Sequence, residues 1–530
     1  MLTKQEKSEF RSTLFCHLDG LATATTAYAL HKKGVLKFLL QNERVSLNQL
    51  SKKFNANEGY LNVGLRVLCS QGWLTQLHEE DKVYFTTNSN SKKAFELIPL
   101  FEDAVNLLKH SVQFPEERIG ADAFTSLDHI FKKLVNNYGI TVLGPIEKQV
   151  LKHIEGVVLA PIIVLLGVNG MFHKYFMEAS FRAQEYHKDP ESFKKILDFF
   201  VHLKWFTKKN STYQFTNKGL FFAKRASAYG VTVSYLPTFI QLGELLFGNP
   251  LVLNSAINET EKHVHREMNV WGSGGAHSTY FKVVDEIIIN LFNKPIEEQP
   301  KGILDMGCGN GAFIQHIFEV IEHQTLRGKL LEDYPLLLVG ADFNQAALKV
   351  TRANLIKADI WAKVIWGDIG RPDLLATDLK ENYNIALKDL LNVRTFLDHN
   401  RIWETPLNTT GRTSTSTGAY TYKGKHLKNN LVEDSLLEHL LKWKPYTAKF
   451  GLLVIELHTV TPELVSKNIG KTAATAYDAT HGYSDQFILE IDVFHKIAIE
   501  AGLHPDPKYA TKFPNNELAT VSINLLRGKK

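Results

Sequence analysis

The segment ILDMGCGNGAF, residues 303–313, constrains the fold more than any other part of the sequence. An apolar run ends at Asp305, and three glycines follow at alternate positions, Gly307, Gly309 and Gly311. A helical apolar pattern begins directly after the last glycine. Because glycines let a backbone come close to a bound molecule, the segment predicts a strand, a ligand-binding turn and a helix.

The C-terminal half of the chain predicts an α/β sheet around this turn. The predicted strands are 302–307, 336–342, 363–368, 384–390, 451–458 and 520–526. Helical stretches separate them, which is the pattern of βαβ units and of a parallel, Rossmann-like sheet. We place this α/β domain at 261–530. Residues 405–425 are rich in Thr, Ser and Gly and predict a mobile loop over the site.

The spacing of the glycine turn is similar to a known cofactor motif. It reads D-x-G-x-G-x-G, and Ala312 stands where the dinucleotide motif G-x-G-x-x-G needs a glycine. The turn therefore resembles motif I of class I S-adenosylmethionine-dependent methyltransferases more than an NAD site. The resemblance implies that Asp305 meets the charged amino group of the cofactor and that the three glycines lie against it.

Two further acidic residues follow the next two predicted strands. Asp342 ends the second strand and Asp368 ends the third. The resemblance implies that Asp342 accepts both ribose hydroxyls, that Asp368 meets the adenine amino group, and that Phe343 and Ile369 flank the adenine ring. Any one of these acids could be a solvated carboxylate at a strand end. Three of them in order favour the methyltransferase.

The N-terminal half predicts a mostly helical lid with two winged-helix-like units. Residues 31–88 show short helical periods followed by a hairpin pattern. LRVLCSQGWLTQ at 65–76 aligns with LDFFVHLKWFTK at 197–208, which indicates an internal repeat. We place the first unit at 1–150 and the second unit with the rest of the lid at 151–260. The helix before each tryptophan is apolar on most sides, which favours dimerisation or substrate covering over DNA binding.

Composition excludes several classes of protein. Lys and Arg number 61 against 56 Asp and Glu, and no long basic block is present, so nucleic acid is not an expected partner. The three cysteines are far apart, which fits a reducing cytoplasm without disulfides or zinc thiolates. The apolar run at 156–172 is interrupted by Pro161 and falls short of the roughly 20 residues of a membrane helix. We expect a buried helix there, and no membrane partner.

Four strings in the chain resemble a narrower family. They are HIEGVVLAPIIVLLG (153–167), HVHREMNVWGSGGAH (263–277), RTFLDHNR (394–401) and THGYSDQFILEIDVF (480–494). They are similar to the carbon-methylating domains of polyketide loading modules of the apratoxin type. That resemblance implies a single bound iron(II) or manganese(II) ion and a malonyl group carried as a thioester on acyl carrier protein.

Chemistry gives a separate reason to look for a metal near the last strands. A divalent ion chelated by two carbonyl oxygens would stabilise the enolate formed between them. His481 and Gln486 lie together after the fifth predicted strand, and His458 ends that strand. Imidazole and oxygen ligands suit iron(II) or manganese(II), so we predict His481 and Gln486 as ligands ahead of His458. Asp398 and His399 follow the fourth strand as candidate ligands or general bases. HGYSDQ could instead be a polar turn before the next helix.

Two other functions remain open at this point. A small-molecule O-methyltransferase would use its winged-helix domain to form a homodimer and His399 or His458 as a metal-free base. A ligand-sensing transcription factor is disfavoured because all three cofactor acids are present. The string NVWGSGGAH at 269–277 predicts either a cover over the cofactor carboxylate, through Ser273 and backbone amides, or a plain linker turn.

Overall fold

The computed structural model describes residues 2–79, 82–111, 121–254 and 261–529. The strands are β1 (Arg44–Ser46), β2 (Thr75–Glu79), β3 (Lys82–Thr86), β4 (Phe181–Arg182), β5 (Phe206–Lys209), β6 (Thr212–Phe215), β7 (Gly302–Met306), β8 (Leu337–Asp342), β9 (Lys363–Trp366), β10 (Leu390–Thr395), β11 (Tyr420–Tyr422), β12 (Lys425–Leu427), β13 (Leu452–Leu457), β14 (Leu503–Pro505), β15 (Thr511–Phe513) and β16 (Val521–Gly528).

The helices of the N-terminal half are α1 (Lys4–Lys33), α2 (Val35–Leu40), α3 (Leu47–Phe54), α4 (Glu58–Ser70), α5 (Ser91–Leu97), α6 (Glu102–Ser111), α7 (Ala121–Val135), α8 (Pro145–Val168), α9 (Met171–Tyr175), α10 (Pro190–His202), α11 (Asn217–Ala223), α12 (Ser227–Ser234), α13 (Leu236–Ile240) and α14 (Leu242–Phe247). Those of the C-terminal half are α15 (Arg266–Phe292), α16 (Ala312–Gln324), α17 (Gln345–Lys357), α18 (Pro372–Tyr383), α19 (Asn429–Thr447), α20 (Pro462–Ser466), α21 (Ala474–Gly482) and α22 (Ile491–Glu500).

The C-terminal half is a three-layer α/β domain, which confirms the predicted fold class. Its sheet has the order β14-β16-β13-β10-β7-β8-β9, with β15 paired to β16. The five strands from β13 to β9 run parallel, and β16 is antiparallel to β13. Apolar residues of α15, α16 and α17 cover one face of the sheet, and those of α18, α19 and α22 cover the other. Burial on both faces explains the near-continuous apolar strands in the sequence.

The order of the strands places the ligand site. From β7 the chain moves outward to β8 and β9, then returns to β10 on the other side of β7. Ligands of open α/β sheets bind at the carboxyl ends of the strands where the order reverses, which here are β7 and β10. The glycine turn follows β7, and Asp398 and His399 follow β10.

The fourth strand lies six residues later than predicted. Residues 384–390 were expected to form it, but the strand is β10, and residues Leu387–Asp389 form a 3-10 turn before it. The apolar pattern was misleading because Asn392 and Arg394 lie inside the strand and are buried. The correction brings Asp398 and His399 to within a few residues of the strand end.

The two predicted winged-helix units are both present. Each has a three-stranded sheet of the same order, β1-β3-β2 in the first and β4-β6-β5 in the second. In both units, the residue before the tryptophan has a positive φ, 75° at Gly72 and 62° at Lys204. Trp73 and Trp205 each donate their backbone N–H to the carbonyl five residues earlier. The internal repeat therefore extends to backbone hydrogen bonding.

The helix α4 of the first unit lies against the catalytic domain. It packs on α21 and on the hairpin of β11 and β12, and its residues from Gly59 to Ser70 are buried. Arg66, only 1% exposed, donates Nε to Asp478 at 2.9 Å and Nη2 to Thr459 and to the carbonyl of Val460. The helix α4 of the first unit is therefore buried against the catalytic domain.

Arg66→Ala is expected to lower the free energy of unfolding by about 3 to 5 kcal/mol, because the buried carboxylate of Asp478 would lose the cation that pairs with it. Denaturant titration followed by tryptophan fluorescence would measure it. Lys467→Ala is the matched control, because Lys467 forms an exposed pair with Glu463 that is worth about 0.5 kcal/mol. Equal effects of the two substitutions would contradict a tethering role for Arg66.

The apolar run at 156–172 lies mostly within helix α8, and the prediction of a buried helix there is confirmed. By length and composition α8 is apolar enough to cross a membrane, but it is mostly buried inside the protein. It crosses α1 at close range at two glycines. A side chain at Gly20 would collide with the backbone of His153, and a side chain at Gly156 would collide with the backbone of His17. The pair of glycines fixes this crossing.

The alternative of a linker turn at 269–277 was wrong, because this string lies inside α15. Ser273 also lies in this helix, and its hydroxyl donates to the carbonyl of Val270. Its contact with the cofactor carboxylate stays a prediction. Gly272 lets α15 approach α12, since a Cβ there would lie 2.5 Å from the backbone nitrogen of Val231. Gly272 therefore serves helix packing.

The predicted mobile loop at 405–425 is anchored. Its Arg412 forms an ion pair with Asp434, and the backbone N–H of Thr417 donates to Glu490. The last residues form β11 and turn toward β12. Buried charged contacts of this kind hold the segment against α19 and α22, which the Thr and Ser content of the sequence did not reveal.

Candidate active site

The glycine turn after β7 has the backbone that its sequence predicted. Gly307, Gly309 and Gly311 have φ values of 79°, 55° and 80°, which favour glycine over other residues. A Cβ added at Gly309 would meet no atom closer than 4.0 Å, so open space lies in front of the turn. The N–H of Gly309 donates to Asp342 Oδ2 at 3.1 Å. The turn is therefore fixed by the next strand and exposes its surface to a ligand.

Two carboxylates lie next to this open space. Asp305 is 2% exposed, and burial, reinforced by the charge of Asp342, raises its pKa to about 7. Burial also raises the pKa of Asp342, although it accepts backbone N–H bonds from Gly309 and Asn344. A cationic group bound beside Asp305 would lower the cost of ionising its carboxyl.

The predicted adenine residues lie at the ends of β8 and β9. The ring of Phe343 is half exposed and 5.6 Å from that of Trp366, a residue that the sequence reasoning missed. Asp368 accepts the N–H of Gly370 at 2.8 Å. Ile369 is buried, and its carbonyl accepts a bond from Trp443 Nε1. These positions are compatible with a ring held at this edge, and the individual contacts stay predictions.

Asp305→Asn is expected to stabilise the ligand-free protein at pH 8 by about 1 to 3 kcal/mol and to weaken cofactor binding. The raised pKa means that ionising Asp305 costs stability as pH rises from about 4 to about 7. The amide carries no such cost, so the gain should shrink toward pH 4. Urea titrations at both pH values measure it, and a destabilised variant at pH 8 would contradict this account of Asp305.

Beyond the cofactor turn, two histidines meet at the carboxyl end of the sheet. The rings of His399, in a 3-10 turn after β10, and His481, in α21, are 5.1 Å apart and edge to face. Nδ1 of His481 lies 2.9 Å from the carbonyl of Tyr477, which can only accept, so Nδ1 carries the proton. Burial lowers the pKa of His481 to about 3. Its Nε2 therefore keeps a lone pair.

Glu456 is the main site residue that the sequence reasoning missed. It lies in β13, is buried, and accepts a bond from Nδ1 of His399 and another from the His399 backbone N–H. A carboxylate on Nδ1 fixes the tautomer that leaves Nε2 as the basic nitrogen. His399 and Glu456 thus form a dyad suited to proton removal. The sequence reasoning missed Glu456 because it lies inside an apolar strand and belongs to no recognisable motif.

Gln486 lies close to His481, because its backbone N–H donates to the carbonyl of His481 at 3.0 Å. Its Nε2 donates to Ser484 Oγ at 2.8 Å and to the hydroxyl of Tyr235 at 3.1 Å, so its Oε1 is oriented by both contacts. The residues brought together are therefore His399, His481 and Gln486, with Glu456 behind the first and Tyr235 beside the last.

Asp398 does not fit the predicted role of base or ligand. Its Oδ1 contacts Arg394 and lies 2.9 Å from Nε2 of His439, and these contacts are buried. The positive charge of Arg394 and the bond to His439 offset the cost of burial and hold the pKa of Asp398 well below its usual range. A carboxylate stabilised in this way is a weak base, so we assign it to the support of the 3-10 turn.

His458 also does not fit the predicted metal site. Its Nδ1 lies 3.0 Å from the carbonyl of Leu489, and its Nε2 lies 2.7 Å from Ser522 Oγ. Both ring nitrogens are therefore occupied inside the protein, and neither is left for a metal or a substrate proton. Within the described residues, no group of three or more His, Cys, Asp or Glu side chains is arranged to hold a metal ion.

Comparison with known families decides the identity of this fold. Three family models match consecutive parts of the chain: the AprA N-terminal domain at 10–76, the AprA winged helix domain at 155–249 and the AprA MT2-like domain at 261–524. The chain belongs to the AprA-type methyltransferase family. The matches confirm the resemblance to class I S-adenosylmethionine-dependent methyltransferases and show that this AprA-type protein is an enzyme. The three matched segments lie within the predicted regions 1–150, 151–260 and 261–530. The boundaries of these regions stay predictions.

The AprA-type methyltransferase also aligns with solved structures at low similarity. Human N-acetylserotonin methyltransferase in complex with SAM is 12% identical, with 74% of this chain and 100% of that chain covered and a TM-score of 0.42. An O-methyltransferase family protein from Burkholderia thailandensis is 9% identical, with 73% of this chain and 100% of that chain covered and a TM-score of 0.41. CurJ carbon methyltransferase is 12% identical, with 82% of this chain and 99% of that chain covered and a TM-score of 0.32. At these TM-scores we draw no functional conclusion from them. No curated protein sequence matches the chain.

Proposed function

We propose that this AprA-type enzyme methylates the carbon between the two carbonyls of a malonyl-type acyl thioester, with a divalent metal beside the acceptor. The observation that carries the proposal is the His399–Glu456 dyad, whose imidazole lies 5.1 Å from that of His481 at the carboxyl end of β10. The acceptor must lose a C–H proton, and its oxygens then carry negative charge. A base such as His399 can take the proton, and a metal held by the neutral imidazole of His481 can stabilise the charge.

In this proposal each residue of the site has one role. His481 Nε2 and Gln486 Oε1 would hold iron(II) or manganese(II), the metals that imidazole and oxygen ligands suit. The metal would supply Lewis-acid stabilisation of the enolate charge. His399 Nε2 takes the proton of the acceptor carbon, and Glu456 stabilises the imidazolium that results. The hydrogen bond of His481 to the carbonyl of Tyr477 orients its ring, as outer partners of metal-bound histidines do.

S-adenosylmethionine would lie between β7, β8 and this site, where it supplies an electrophilic methyl group. Asp305 would bind its amino group and Asp342 its ribose. Arg266, at the start of α15, lies near enough to both Asp342 and Tyr235 for its positive charge to favour their ionised forms. Direct methyl transfer requires the cofactor and the acceptor to lie next to each other.

The acceptor class is tested by intact mass spectrometry. Purified enzyme, S-adenosylmethionine and iron(II) or manganese(II) would be incubated with malonyl-acyl carrier protein, with acetyl-acyl carrier protein as the matched control. We expect the malonyl form to gain a methyl group and the acetyl form to stay unchanged, because only the former has a carbon between two carbonyls. No methylation of the malonyl form would overturn the proposal.

A metal-free O-methyltransferase is the second candidate, and the His399–Glu456 dyad is the observation that favours it. A histidine base held by a buried carboxylate could deprotonate a hydroxyl acceptor without any metal. Methylation of a phenolic acceptor in the presence of chelator would support this candidate. It would leave His481 and Gln486 without a chemical role.

A further inference from the structure

The second winged-helix unit carries an excess of positive charge. Residues 190–225 contain eight Lys or Arg and two Asp or Glu, whereas the whole chain has a net charge of only +5, so the rest of the chain is close to neutral. Four of these cations form what we call the basic surface: Lys204 in the turn before β5, Lys218 in α11, and Lys224 and Arg225 after α11. Lys204 and Lys224 are exposed, and the other two are partly buried.

The positive charges of the basic surface lie close together and are not neutralised. Lys218 Nζ donates at 2.9 Å to the carbonyl of the residue that precedes Lys204. Burial lowers the pKa of Lys218, and the positive charges of Lys152 and Lys204 lower it further. The carboxylate of Glu155 lies near Lys218, but it already pairs with Lys152 and His17. Within the described residues, the basic surface forms no ion pair, so it favours a negatively charged partner.

The basic surface lies near the reaction site without being part of it. Arg225 is two residues before α12, and Tyr235, directly after α12, contacts Gln486 of the site. The eight residues of α12 span about 12 Å at 1.5 Å per residue. The flexible arm of a carrier-bound thioester can cross a distance of this order while the carrier protein stays outside.

The exposed face of α10 argues against nucleic acid as the partner. This helix precedes the hairpin of β5 and β6, the position of the recognition helix in DNA-binding winged-helix proteins. Its exposed residues are Glu191, Lys195, Asp198 and His202. Two carboxylates on this face would repel phosphate groups, and Asp198 also pairs with Lys208 of β5 at 2.6 Å. The unpaired positive charge lies beside this helix, which suits the acidic surface of a protein.

We propose that the basic surface docks the acidic face of the acyl carrier protein that delivers the acceptor. This inference rests on the proposed function, because a carrier-bound acceptor brings a second protein to the enzyme. Acyl carrier proteins are small and acidic, so opposite charges speed the encounter of the two proteins and orient the carrier. Salt screens this attraction, since the Debye length is about 10 Å at 0.1 M ionic strength.

The double substitution Lys204→Glu with Lys224→Glu tests the inference, because both side chains are exposed. We expect KM for malonyl-acyl carrier protein to rise about 10-fold or more, with kcat unchanged. Malonyl-pantetheine, a thioester without the protein, should be methylated with wild-type kcat and KM. The wild-type KM for the carrier should rise with salt concentration, and this dependence should weaken in the double variant.

Lys349→Glu with Lys357→Glu is the matched control, because it changes the net charge equally at exposed positions of α17 in the catalytic domain. We expect wild-type KM for both thioesters. An unchanged KM for the carrier in the Lys204 and Lys224 variant, an equal rise in the control, or an equal rise for malonyl-pantetheine would overturn the inference alone. Binding of duplex DNA that the same variant abolishes would also overturn it. A wild-type enzyme that methylates neither thioester would overturn the proposed function and this inference with it.

Discussion

His399→Ala is expected to lower kcat by about 100- to 10,000-fold while metal content and cofactor affinity stay at wild-type values. The substitution removes the only nitrogen that the Glu456 contact prepares as a base, and it touches neither the glycine turn nor the proposed ligands. His481→Ala is expected to abolish turnover and also to remove the metal. Loss of a direct ligand should cost more than the roughly 10- to 100-fold of an outer contact.

The two losses can be separated by measuring turnover, metal by plasma emission spectroscopy and cofactor affinity by calorimetry for each variant. His495→Ala is the matched control, because His495 pairs with Asn524 on α22 and β16. Retention of metal by His481→Ala, or loss of metal in His399→Ala, would contradict the division of roles between the two histidines.

Asp342→Ala is expected to weaken S-adenosylmethionine binding by at least about 100-fold. Two charge-assisted hydrogen bonds to the ribose are worth about 3 kcal/mol or more together. The substitution would also release the N–H of Gly309 and so loosen the glycine turn. Calorimetry on the purified variant measures the affinity.

Asp373→Ala controls for charge in that experiment, since Asp373 is exposed and pairs only with Arg371 among the contacts described for it. Wild-type affinity in Asp342→Ala would show that the ribose is held elsewhere. A folding defect in that variant would appear as a lowered denaturation midpoint, and Asp342→Asn, which keeps the shape of the side chain, would then separate folding from binding.

The geometry of the glycine turn was predictable because it is local in sequence. The turn from Asp305 to Gly311 contains the strand end, the positive-φ glycines and the acid within a few residues, so its pattern carries its geometry. Asp342 could be placed because it ends the neighbouring strand. The fold class followed from the same regularity, since strands buried on both faces read as apolar runs.

The reaction half was less predictable because long-range contacts decide it. Arg394 and His439 turn Asp398 from a candidate base into a structural anion, and Ser522 and Leu489 occupy both nitrogens of His458. No local pattern reveals such pairings.

Two partners of the site were missed for the same reason. Glu456 is hidden in the apolar strand GLLVIELH, where alternation is absent, and it meets His399 only in the folded sheet. Tyr235 comes from the lid. Buried polar side chains in strands, such as Asn392 and Arg394, also shifted the prediction of β10.

The central claim is that methyl transfer needs a metal at His481 and Gln486, and activity in metal-stripped protein tests it most directly. Enzyme treated with chelator, and shown by plasma emission spectroscopy to be free of iron and manganese, would be assayed with S-adenosylmethionine and malonyl-acyl carrier protein. We expect methylation to be lost and then restored by iron(II) or manganese(II), with cofactor affinity unchanged throughout. Full methylation by the stripped enzyme in the presence of chelator would contradict the account.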